Sequence, residues 1–273
     1  MKIRRWSIVG LVAASLLTSG VSACKMPGAE PKAAGSASPT AASDDPKQAL
    51  LDSTKEISKG NFRYSMTADG STGGGVVHMP SKSAQLKLTF AQPGAKYSMD
   101  MDFIYIEPDS WVRLKFNGTD LSKIPGLDQL NTGKYMHLDQ TKAKDIKDLR
   151  FDFSNVDPAG STLLTKSVTD VKKTGEGSYA GTIDVSKAGE ATMIDPQLVT
   201  ALGVQANSLP FTAKVDPQGR LSQFTVQVPA TQDSKAHELT VSYSDYDAAS
   251  QPAKPATTDT VEAPQQVYDY FNK

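Results

Sequence analysis

The sequence predicts a mainly β protein with a few short helices, an α+β fold. Its centre is a large curved antiparallel sheet, a half-barrel, with helices across the concave face. Two observations predict it. From Phe62 to Tyr243 apolar residues recur at every second position, so each strand buries only one face, as antiparallel strands do. Fully apolar runs, which a parallel sheet covered on both sides would show, are missing. Segments with helical spacing are few and short, which is sparse cover for about nine to eleven strands. A curved sheet with so little cover tends to leave a groove or cavity.

The chain opens with Lys2, Arg4 and Arg5 ahead of an apolar stretch from Ile8 to Val21. That stretch is too short for a spanning helix, which needs about 20 residues. A basic start, a short apolar stretch and small residues before a cut make a secretory signal. It ends Val21-Ser22-Ala23-Cys24 and closely resembles the lipobox of bacterial lipoproteins. The resemblance implies cleavage between Ala23 and Cys24 and acylation of the Cys24 thiol. Cys24 is the only cysteine of the chain, so no disulfide framework or multi-cysteine metal site is available. Loss of Lys2, Arg4 and Arg5 with the signal takes the net charge from −1 to −4. Charge therefore does not draw the body to anionic lipid. The acyl chains would hold it there, at about 0.8 kcal/mol per buried CH₂. Residues 1–23 are read as the signal, 24–45 as a flexible Ala/Ser/Pro-rich tether, and 46–273 as a single domain.

Asp45-Pro46 reads as the N-cap and first residue of a helix. Ala49, Leu50, Ser53 and Ile57 keep helical spacing to a stop at Gly60. The period then changes to two. Phe62, Tyr64, Met66 and Ala68 form one side of a strand, and Leu86, Leu88 and Phe90 one side of the next. Tyr97, Met99, Met101, Phe103 and Tyr105 make a continuous aromatic and thioether stripe, followed by Val112, Leu114 and Phe116. Gly73-Gly74-Gly75 reads as a turn. Tyr135 to Leu138 is short and ambiguous. Asp157 to Lys166, with Pro158 first, and Asp195 to Leu202, with Pro196 first and Gly203 as stop, read as helices. Tyr179, Ile183 and Val185 continue the strands. Phe211, Ala213 and Val215 lead into an Asp216-Pro217-Gln218-Gly219 turn. Leu221, Phe224, Val226 and Val228 follow with a change of phase near Gln223, the sign of a bulge. Leu239, Val241 and Tyr243 close the series. Residues 247–259 read as a surface loop, and Val267, Tyr268 and Phe271 as a final turn packed back on the body.

The usual marks of catalysis are missing: no GxSxG, Ser-x-x-Lys, HExxH, Walker or GxGxxG pattern occurs. His78, His137 and His237 stand in separate segments. Asp100 and Asp102 share a strand face about 7 Å apart. Two carboxylates at that distance could serve a glycosidase, but a solvated outer face is the plainer reading. The expectation is a protein that is not an enzyme, with no catalytic residue, cofactor or metal, and no nucleic-acid partner at near-neutral charge. Methionine is flexible and polarisable and suits a surface that takes several shapes. The candidate cavity lining is Phe62, Tyr64, Leu86, Leu88, Phe90, Met99, Met101, Phe103, Leu114 and Phe116.

At Leu209-Pro210-Phe211-Thr212-Ala213-Lys214-Val215 and the Asp216 to Leu221 return, the chain resembles the actinobacterial LppX/LprG/LprA/LprF-type lipoproteins. Val241-Ser242-Tyr243-Ser244-Asp245-Tyr246 and Val261-Glu262-Ala263-Pro264 are similar to that family's last strand and ending. The helix from Lys47 to Gly60 leading into Asn61-Phe62 is similar to its opening. The family often has Gly after the late Asp-Tyr pair, where this chain has Asp247-Ala248 and a Pro-rich insert. The resemblance implies a LolA-like half-barrel holding the acyl chains of a lipid or glycolipid for carriage within the cell envelope. It further implies a monomer, anchored through Cys24 on the outer face of the cytoplasmic membrane of a Gram-positive actinobacterium, with an envelope transporter as a partner. The same shape with a packed interior would serve a sensory or scaffolding lipoprotein, because fold alone does not fix function.

Overall fold

A computed structural model describes residues 44–91, 98–118, 130, 133–143, 146, 149, 151–188, 191, 194–232 and 234–271. The signal, Ala23, Cys24, the tether as far as Ser43, and Tyr97 lie outside the described residues.

The body is one open, curled sheet of twelve strands. In chain order they are β1 (Asn61–Ala68), β2 (Ser71–His78), β3 (Ser83–Ala91), β4 (Ser98–Ile106), β5 (Asp109–Asn117) and β6 (Tyr135–His137). Then come β7 (Val168–Gly175), β8 (Ser178–Ile183), β9 (Leu209–Val215), β10 (Leu221–Val228), β11 (His237–Ser244) and β12 (Thr260–Glu262). Across the sheet the order is β12-β6-β5-β4-β3-β2-β1-β11-β10-β9-β8-β7. Each neighbouring pair is antiparallel except β12 on β6, which is parallel. The mainly β, antiparallel half-barrel expected from the alternation is the fold. The bulge expected near Gln223 is a register shift between Leu221 and Gln223.

Among the described residues five short helices accompany the sheet: α1 (Pro46–Asp52), α2 (Gln140–Ala143), α3 (Ser161–Lys166), α4 (Pro196–Leu202) and α5 (Gln265–Phe271). Asp45 caps α1 by accepting from the Lys47 amide, and Asp195 caps α4 in the same way from Gln197. The α1 spacing runs to Gly60 in sequence, yet the α-helix stops at Asp52. The Ser53 and Thr54 hydroxyls bond back to the carbonyls of Leu50 and Leu51, and the chain continues as a turn and a 3₁₀ segment. The third helix starts at Ser161, not beside Pro158. Asp157 still caps it from outside, accepting from the amides of Ser161 and Thr162. The Tyr243 phenol on β11 reaches the same carboxylate at 3.3 Å and Ser161 Oγ at 2.8 Å, which ties α3 to the sheet.

Two apolar cores lie on one face of the sheet. The first joins α1, α3 and α4 to β1 and β8–β11 through Leu50, Leu164, Leu202, Phe62, Ile183, Phe211, Phe224 and Val241. The second joins β4, β5 and β6 to α2 and α5 through Phe103, Val112, Leu114, Met136, Ala143, Val267 and Tyr268, together with Leu130, Leu138, Ile146 and Leu149. Leu86 on β3 packs against both.

Candidate functional site

Directly opposed residues of an antiparallel pair share a sheet face, so the register fixes where each candidate stands. One row runs Tyr64–Gly75–Leu86–Phe103–Val112 across β1 to β5. The next runs Met66–Gly73–Leu88–Met101–Leu114, and the third runs through Phe90, Met99 and Phe116. Phe62 lies two residues before Tyr64. All ten candidates therefore occupy the face that carries the cores, here called the inner face.

Burial divides them. Phe62, Tyr64, Phe103 and Leu114 are buried. Phe62 is enclosed by the rings of Tyr64, Tyr243 and Tyr246, with centroids 5.4–6.2 Å away. Phe103 stacks on Tyr105 at 5.1 Å and meets the edge of Phe271. Leu86, Leu88, Phe90, Met99, Met101 and Phe116 are only half-buried. They adjoin one another in the register and run from the gap between the two cores to the β3–β4 end of the sheet. From Leu86 to Phe90 this patch extends about 13 Å along the strand.

Gly73 and Gly75, read as part of a turn, are instead in the middle of β2. They leave this strand without side chains where it crosses the patch. A Cβ on Gly73 would fall 2.6 Å from a Leu88 δ-methyl, so Leu88 lies over the bare strand. Sequence reasoning missed this strand because three glycines erase its alternation.

The opposite face is polar and knitted together. Asp102 is buried and accepts from Gln85 Nε2 at 2.9 Å, Arg113 Nη2 at 3.1 Å and the Tyr135 phenol at 2.6 Å. The Arg113 guanidinium also lies 4.3 Å from the Tyr135 ring centre. Burial, then the bond to Asp102, pushes the Tyr135 phenol up from its ordinary value. Asp100 accepts from Thr89 Oγ1 and Asn117 Nδ2. The pair weighed for acid–base work is thus tied across β3, β4, β5 and β6, and Asp102 has three donors upon it. A shallow hollow of about 380 Å³ lies on this side, over Gly74 and between Arg63, Thr72, Gln85, Lys87 and Thr89.

No family model and no curated protein matches the chain. Among the described residues no three His, Cys, Asp or Glu side chains gather as a metal site, and no helix is long and apolar enough to cross a membrane. His137 has neighbours that its isolated place in the sequence hides. Its Nδ1 is 3.2 Å from Glu262 Oε1 and its Nε2 is 3.2 Å from Asp109 Oδ1. These two carboxylates come from β12 and β5, which only the folded edge brings together.

Proposed function

We propose that this chain is a membrane-tethered envelope lipoprotein that holds the acyl chains of a lipid or glycolipid on the inner face of its sheet and catalyses no reaction. The observation that carries the reading is the contiguous half-buried patch of Leu86, Leu88, Phe90, Met99, Met101 and Phe116 between two separate cores. Such a patch keeps part of its apolar surface in water and favours an apolar occupant, at about 25 cal/mol per Å² removed from water. Met99 and Met101 can repack around chains of different length. The lipobox-like Val21-Ser22-Ala23-Cys24 supports the tether, and the resemblance to the LppX/LprG-type lipoproteins supports the cargo class and carriage within the envelope. An envelope transporter is the corresponding partner.

A second reading, a sensory or scaffolding lipoprotein that binds a protein, is favoured by the complete packing of Phe62, Tyr64, Phe103 and Leu114. Both cores lie after Ser43, so the chain from residue 24 onward, with Cys24→Ser, is expected to retain the fold. Native mass spectrometry of this chain from a lipid-containing bacterial host is expected to show bound masses that release phospholipid or glycolipid on denaturation. Met101→Asp is expected to reduce that bound fraction at least tenfold with an unchanged circular dichroism spectrum. A wild-type chain that stays empty after incubation with envelope lipids decides for the protein-binding reading.

A further inference from the structure

The segment after β11 is a belt around the sheet. It leaves β11 beside β1, where the Asp247 amide bonds to the Asn61 carbonyl at 2.8 Å. It arrives at β5, where Lys254 Nζ lies 5.2 Å from the Trp111 ring centre and 4.0 Å from Asp109 Oδ2. Asn61 and Asp109 are the two ends of one register row, Asn61–His78–Ser83–Ile106–Asp109. That row is on the polar face, so the belt crosses this face along one end of the sheet. Ala249 and Pro252 of the belt are buried, as are Val76, Ile104 and Trp111 of the adjoining row.

The belt then adds β12 to the sheet edge, and its next residue, Ala263, donates to the His137 carbonyl at 2.9 Å. From there the chain passes to the inner face as α5. Val267 and Tyr268 close the second core, Tyr268 Oη accepts from the Asp139 amide at 2.8 Å, and Phe271 stands edge-on to Phe103 at 6.3 Å. Leu86, Met101, Phe116 and Phe271 all border this same core. Leu130, Ala143, Ile146 and Leu149 share this core with Phe103 and Leu114, and α5 is the seven-residue part of its cover that is hung on a three-residue parallel strand at the sheet edge.

We propose that β12 and α5 form the gate of the inner-face site. The inference rests on the acyl-binding reading above. With the gate shut, the site ends at the half-buried Met101 and Phe116. With β12 detached from β6 and α5 lifted, the site extends to Phe103, Leu114 and Val112, and an acyl chain replaces Val267, Tyr268 and Phe271 against them. Local opening of a short edge element is the kind of motion that binding sites draw on.

His137 and Glu262 face each other in the β6–β12 register and are in side-chain contact. A His137→Cys, Glu262→Cys chain, with Cys24→Ser, places the two thiols to staple the gate shut. The probe is pyrene-labelled phosphatidylglycerol delivered from phosphatidylcholine vesicles and followed by its fluorescence. The oxidised chain is expected to take up the probe at least tenfold more slowly than the same chain after reduction. Phe271→Ala, without the staple, is expected to take it up faster than wild type. Equal uptake by the oxidised and reduced chains, with wild type binding normally, overturns the gate and leaves the acyl site standing. No uptake by wild type overturns the acyl site, and the gate with it.

Discussion

At the scale of single residues, the two aspartates on β4 differ in what surrounds them. Asp102 is 7% exposed and holds Gln85, Arg113 and Tyr135, whereas Asp100 is half-buried and holds Thr89 and Asn117. Removing a buried acceptor leaves its donors without partners, at about 1–3 kcal/mol. Asp102→Ala is expected to lower the unfolding free energy by about 2–3 kcal/mol and Asp100→Ala by about 1 kcal/mol, read from urea midpoints. Neither is expected to change lipid retention, since both lie on the face opposite the patch. Loss of bound lipid in Asp100→Ala would put the site on the wrong side of the sheet. The sequence made the sides legible because alternation is a local property of the strand, with Asp100 and Asp102 opposite Met99, Met101 and Phe103. It could not show that Asp102 is buried, because Gln85, Arg113 and Tyr135 reach it from three other strands. The burial of Phe62 and Phe103, against the half-burial of Phe90 and Met99, likewise depends on where helices land, which no alternation records.

At the scale of elements, strands with one apolar side were readable and strands without one were not. β3, β4 and β5 were legible from Leu86 to Phe116, and α1 and α4 from their Asp-Pro openings. β7 was not, because this edge strand is almost wholly exposed and carries Thr169, Asp170, Lys172 and Lys173 where a pattern would be. Such charge on an edge discourages pairing with another chain. β2 was hidden by its glycines, whose reason is close approach. A Cβ on Gly75 would fall 1.8 Å from the Gln85 carbonyl oxygen of β3. Gly75→Ala must therefore push β2 and β3 apart and is expected to cost at least about 2 kcal/mol. Gly175 ends β7, and a Cβ there meets nothing nearer than Ser178 at 3.8 Å. Gly175→Ala is expected to stay within about 0.5 kcal/mol of wild type. Urea unfolding of the two variants side by side is the check, and equal midpoints would remove the close-approach account of β2.

At the scale of the whole molecule, the division into two cores has a signature in alkali, because tyrosines are distributed between them. Burial pushes the phenols of Tyr64, Tyr243 and Tyr246 in the first core up from the ordinary value, with Asp157 reinforcing the effect at Tyr243. Tyr268, under the gate in the second core, is also raised by burial. A phenol raised in the folded state contributes stability that is fully present below the unfolded value, about 10. That stability is lost as pH rises from there through the folded value, because only the unfolded chain releases the proton. For buried groups such as Tyr64 and Tyr243 the loss is about 1.4 kcal/mol per pH unit each. In the second core α5 hangs on the three-residue edge strand β12, beside Leu130, Ala143, Ile146 and Leu149, while the first core is held by α1, α3 and α4 and by β8–β11. The gate should therefore yield first. A spectrophotometric titration at 295 nm is expected to show Tyr268 ionising before the three phenols of the first core, which ionise together with loss of the far-ultraviolet β signal. Subtraction of a Tyr268→Phe titration isolates the first of these steps. A Tyr268 step that coincides with global unfolding would mean that the two cores open as one, with the belt a permanent part of the sheet.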